Sequence, residues 1–84
     1  MLKSNPIYID INGAPCKILN KVVILNNPNM DKTFNEAYVS EIGEVVYFEY
    51  ECGCGQSYPN DPMIGIKFAN EKIEEYWIEE LKII

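Results

Sequence analysis

Eighty-four residues, 48% of them apolar, carry thirteen acidic side chains against seven lysines for a net charge of −6, with neither histidine nor arginine. A chain this short buries roughly 60% of its unfolded surface and supports one core, so 1–84 reads as a single domain. Without histidine the usual activation of a serine or cysteine nucleophile is missing, and without arginine so is bidentate clamping of phosphate or carboxylate, so an enzyme is not expected.

The first element in chain order is Ile7 to Ile11, where alternation places Ile7, Ile9 and Ile11 on one face. Asn12-Gly13 is a hairpin signal of type I′, returning through Ala14 to Ile18, with Pro15 making that arm irregular. Residues 1–19 are therefore expected to form a β-hairpin extension, and 20–84 the barrel itself. Asn20, tolerant of the left-handed region, leads into the β-branched run Lys21 to Leu25, a core strand. Residues 26–40 are polar and long for so small a domain, a surface excursion tacked down by Phe34 and Tyr38.

Glu41 to Glu51 is the clearest strand. Alternation puts Val46, Phe48 and Tyr50 inside and Val45, Tyr47 and Glu49 outside, with Gly43 marking a bulge or close approach near its start. After the stretch Cys52-Gly53-Cys54-Gly55, Met63 to Phe68 resumes with Ile64, Ile66 and Phe68 inward. Residues 69–72 turn, Ile73 to Ile78 returns, Glu79 to Leu81 forms one helical turn, and Lys82 to Ile84 closes as a last strand. The fold class expected is all-β, with five to six short antiparallel strands.

Four segments carry a resemblance: Val22-Val23-Ile24, Gly43-Glu44-Val45, Ile64-Gly65-Ile66-Lys67-Phe68 and Glu79-Glu80-Leu81. Their order resembles the SH3-like electron-transport accessory proteins: the E-type accessory protein of photosystem I, the ferredoxin-thioredoxin reductase variable chain and the C-terminal domain of the nitrile hydratase β-subunit. The resemblance implies an SH3-like small barrel of five to six short antiparallel strands, with a habit of binding larger proteins, and brings no catalytic residue with it. The chain departs from that pattern in its acidity and in its Cys-Gly-Cys-Gly stretch.

Charge is uneven. Residues 1–35 hold four lysines and two aspartates, whereas 36–84 hold eleven acids and three lysines. Such a surface repels phosphate backbones, so nucleic acid is not the expected partner, and a basic protein is. No run approaches the roughly 18 apolar residues that span a bilayer, and the odd count of cysteines argues against a secreted disulfide framework, so a cytoplasmic protein is expected, with neither cofactor nor membrane.

The Cys-Gly stretch has two readings. As a shaped loop, it uses Gly53 and Gly55 for positive φ angles and buries Cys52 as a small hydrophobe. As a chemical site, Cys52 and Cys54 would grip a metal with help from Cys16 and Asp61, or cycle as a strained disulfide. A protein-docking wall is the stronger lead. Val45, Tyr47, Met63 and Trp77 would share one outward face with Glu75 at the rim, and Tyr58 would be offered by the loop, aromatic anchors with a charged border being what binding hot spots require. The competing reading covers that wall with the N-terminal hairpin or the 26–40 loop. A homodimer, formed through an exposed strand or through the wall, is a third arrangement.

Overall fold

The computed structural model describes residues 6–27, 30, 36–50 and 58–84. The β-branched run becomes strand β1, Lys21–Ile24, and the long apolar run becomes β2, Ile42–Glu49; β3 is Met63–Lys67, β4 Ile73–Tyr76 and β5 Leu81–Ile83. All pair antiparallel in one sheet of order β4-β3-β2-β1-β5. Short 3-10 turns occupy Glu36–Tyr38 and Ile78–Glu80.

Strands at opposite ends of a flat five-stranded sheet would lie about 19 Å apart. The link from β4 to β5 is only Trp77 and the Ile78–Glu80 turn, and a 3-10 turn rises about 2 Å per residue, so the sheet has to curl to bring its ends together. The curl encloses one interior: Val22, Ile24, Val45, Phe48, Ile64, Ile66, Phe68, Tyr76 and Leu81 are all buried. Each such side chain contributes about 1.5–3 kcal/mol relative to exposure. Within β3 the alternation holds as expected, with Ile64, Ile66 and then Phe68 inside.

In β2 it does not hold. Val45 pairs with Ile66 and Tyr47 with Gly65, so Val46 is an extra residue on the β2 side, a bulge. A bulge turns the following residues to the opposite face, which corrects the sequence expectation for Val45: it is fully buried beside Ile66, while Tyr47, two residues on, faces the other way. Gly43 supplies the close approach rather than the bulge. A Cβ there would collide with the Ile66 side chain and crowd the Lys67 carbonyl and Phe68 ring.

The N-terminal stretch reverses at Asn12-Gly13, with Ala14 N–H donating to the Ile11 carbonyl at 3.1 Å. Its arms do not pair as strands. Of the two turn residues, Gly13 alone has positive φ (95°), a type II-like geometry rather than the mirror-image turn that twists with a ladder. Pro15 has no amide to give, and the Asp10 carboxylate takes the Ile18 amide at 2.7 Å. The segment instead seals the open side of β2. Ile7 and Phe48 exchange both backbone hydrogen bonds, at 2.8 and 2.9 Å, and the Leu19 amide donates to the Val45 carbonyl at 2.8 Å. Cys16 is buried in the core, with Ile11, Ala14 and Ile18 packed against that core, while Ile9, expected to share a face with Ile7 and Ile11, is exposed where those two are half-buried. The left-handed residue before β1 is Leu19 (φ 74°) rather than Asn20, whose carboxamide accepts the Lys17 amide at 2.8 Å.

Of the long excursion, Phe34 lies outside the described residues. Tyr38 does tack its end down, stacking on Phe68 with centroids 4.1 Å apart and accepting a hydrogen bond from Asn70 Nδ2. The 69–72 turn closes through Phe68 N–H to the Lys72 carbonyl at 2.9 Å.

Candidate functional site

The bulge sorts the outward side chains of β2, β3 and β4 into rows. Glu44 opposes Lys67 and Ile73; Tyr47 opposes Gly65 and Glu75; Glu49 opposes Met63. Trp77, extended at φ −78°, ψ 157°, carries the alternation one step beyond β4, and its amide is fixed by the Glu80 carboxylate at 2.9 Å.

The middle row is the best ordered. A Cβ on Gly65 would fall onto the Tyr47 ring, so the absence of a side chain at Gly65 is what lets that ring lie flat across the sheet. The phenol then reaches across β3 and donates to Glu75 Oε2 at 2.6 Å. Burial, followed by this hydrogen bond and the Glu75 charge, pushes the Tyr47 phenol well above its ordinary pKa, so it stays a neutral donor. Tyr8 meets Tyr47 edge to face, with centroids 5.5 Å apart and planes at 68°. Tyr8 is held there because Ile7, its neighbour, is bonded to Phe48.

The sequence left open whether this wall is bare or covered, and the two ends differ. Tyr47 retains only 9% exposure beneath Tyr8, which itself is 62% exposed. Met63 and Trp77 are half-buried, Glu75 is exposed and Glu49 is buried. Of the residues expected there, Tyr47, Met63, Glu75 and Trp77 are on the face. Val45 is beneath it in the core. Tyr58 is exposed elsewhere, edge-on to Tyr50 at 4.9 Å, where the Tyr50 phenol donates to the Pro59 carbonyl at 2.8 Å. Tyr8 was not anticipated. Its signal was the position opposite Ile7, a residue that pairs with β2.

Cys52 and Cys54 lie outside the described residues. Cys16, the third sulfur of the thiol alternative, is buried, and burial followed by the Asp10 charge raises its thiol to about 11, opposite to what a thiolate ligand needs. Among the described residues no group of three cysteine or acidic side chains is placed to hold a metal. Two open grooves flank Phe68 and Ala69, of about 300 Å³ on the Gly43 side and about 390 Å³ on the Tyr38 side. The first is bordered by ion pairs Lys21–Glu44 (3.2 Å) and Lys67–Glu71 (2.9 Å), exposed pairs of the kind that contribute little. No described helix is long and apolar enough to cross a membrane.

Compared with known proteins, residues 3–84 match the model of one family, described as the CarS bacterial SH3 domain. No curated protein and no solved structure matches. The SH3-like expectation therefore stands, while the narrower likeness to electron-transport accessory proteins gains no support.

Proposed function

Given that the chain belongs to the CarS bacterial SH3 domain family, we propose that it is a non-catalytic interaction module that docks a basic segment of a larger protein on the outer face of β2–β4. Membership of an SH3 family supports the general class, and the face supplies the particulars. The observation that carries the reading is the Tyr47–Glu75 hydrogen bond across Gly65, an aromatic floor locked to an exposed carboxylate on the outer side of the sheet and bordered by the exposed Tyr8 ring. Tyr8, Met63 and Trp77 offer partly exposed apolar area around it, and Glu75 offers charge. Aromatic anchors contribute most of the affinity at such surfaces, and the net charge of −6 steers a cationic partner toward it. Work in the cytoplasm fits the reducing compartment that the cysteine count favours.

Trp77 is the single tryptophan of the chain, so one substitution tests the reading. Trp77→Ala is expected to leave the melting temperature nearly unchanged while weakening capture of a lysine-leucine repeat peptide at least tenfold, and wild-type binding should weaken as salt is raised. A collapsed melting temperature would make Trp77 a core residue, and unchanged peptide binding would remove the face from the account.

A further inference from the structure

We propose that the partner segment is anchored by an ammonium group, a lysine side chain bearing at least one N–H, seated in the corner formed by Tyr8, Tyr47 and Glu75. This rests on the docking reading above and names the chemistry that the face recognises. A cation is attracted to the negative faces of aromatic rings, most effectively where the rings are already fixed. Here each component is held before anything binds. The Tyr47 ring is pinned from below by the Gly65 backbone and at its tip by Glu75. The Tyr8 backbone is pinned by the paired hydrogen bonds of Ile7 with Phe48, and its ring stands at 68° to that of Tyr47 with most of its surface open.

The carboxylate decides which cation fits. Glu75 Oε2 already accepts the Tyr47 phenol at 2.6 Å, which leaves Oε1 for the ligand. A guanidinium fork seated on both oxygens would have to share Oε2 with the Tyr47 phenol, whereas an ammonium is a point charge content with Oε1 alone. A quaternary ammonium brings no N–H and loses the hydrogen bond to Oε1, so the corner discriminates against the fully methylated form. Tyr8 is thus a specificity-determining residue supplied by the N-terminal segment, and the segment is part of the site as well as a cover for the core.

The test is a titration of the whole chain with n-butylammonium, tetramethylammonium and N-methylguanidinium chlorides at one ionic strength, following the ring protons of Tyr8 and Tyr47 by NMR. Butylammonium is expected to move both sets and to bind about two- to fivefold more tightly than either other cation. Tyr8→Leu, a change at an exposed side chain, and Glu75→Gln, which keeps an acceptor for Tyr47, should each abolish that preference. Equal shifts from all three cations, or a preference that survives Tyr8→Leu, would overturn the proposal. The lysine-leucine peptide is titrated in parallel to separate the two readings. If Tyr8→Leu binds it as tightly as wild type, the corner is not the anchor and the docking face stands; if wild type itself does not bind it, both fall.

Discussion

The two sides of β2 and β3 are built from the same short run of residues and behave oppositely. Inward, Val45 with Ile66, and Phe48 with Ile64 and Tyr76, form closed apolar rows with no exposure beyond 1%. Outward, Tyr47 with Gly65 and Glu75 forms a polar row in which a large ring covers a residue that has no side chain. The bulge at Val46 creates the division, since without it Val45 and Tyr47 would share a side. What differs is how each side tolerates change. The inner side is held by volume, so loss of atoms is what harms it; the outer side is held by a vacancy at Gly65, so gain of atoms is what harms it.

That contrast is broken most severely from the inside. Phe48→Ala removes a fully buried ring at the strand that also carries the Ile7 bridge, and should destabilise the fold by about 3–5 kcal/mol in chemical denaturation. From the outside, Gly65→Ala should cost about 1–3 kcal/mol, because the Tyr47 ring has to move to admit one methyl group. The diagnostic is that Tyr47→Ala in the same background should recover part of that loss, whereas it would only add to the loss from Phe48→Ala.

The smallest effect is at the hydrogen bond. Tyr47→Phe deletes the donor to Glu75 and should cost about 1 kcal/mol at neutral pH. It also sharpens the comparison through alkaline titration. Both Tyr47 and Tyr76 have phenols raised from the ordinary 10.0, Tyr76 to about 12, with burial the main cause for each. A phenol raised in the folded state contributes stability that is complete below pH 10 and is lost as pH climbs from there through the folded value. The Cys16 thiol, raised from 9.0 to about 11, and the Tyr50 phenol, also raised, act in the same direction. The melting temperature should therefore hold steady to about pH 8.5 and fall above it, and Tyr47→Phe should flatten the part of that fall above about pH 10, since one of the contributing phenols is gone.

Much of this was legible in the residues themselves. Val22, Ile24, Ile64, Ile66, Phe68 and Tyr76 sit inside as alternation and β-branching require, and the Glu79-Glu80-Leu81 turn falls within a residue of its expected place. The bulge was not legible because Val45-Val46-Tyr47 contains no glycine, proline or polar residue to mark it; only the pairing partner on β3 defines it. That omission is why Val45 was expected on the wrong side. The N-terminal arms have the alternation of a hairpin, yet an Asp10 carboxylate and a Pro15 nitrogen remove the amide contacts a ladder needs, and the free edge of β2 at Phe48 outcompetes them. Tyr8 was missed for the same reason, since its neighbour Tyr47 is far along the chain and no local pattern links the two. Sequence placed Tyr47, Met63, Glu75 and Trp77 on one face because the alternation is unbroken from Tyr47 to Glu49, along β3, and along β4 one step on to Trp77.

The most direct measurement is a backbone and ring chemical-shift map of the whole chain during titration with the lysine-leucine peptide. The account predicts perturbations concentrated at Tyr8, Tyr47, Met63, Glu75 and Trp77, with Val45 and Ile66 behind them responding little. Perturbations centred on Phe68, Ala69 and Tyr38 would place the partner in the grooves beyond the C-terminal end of β3 and contradict it.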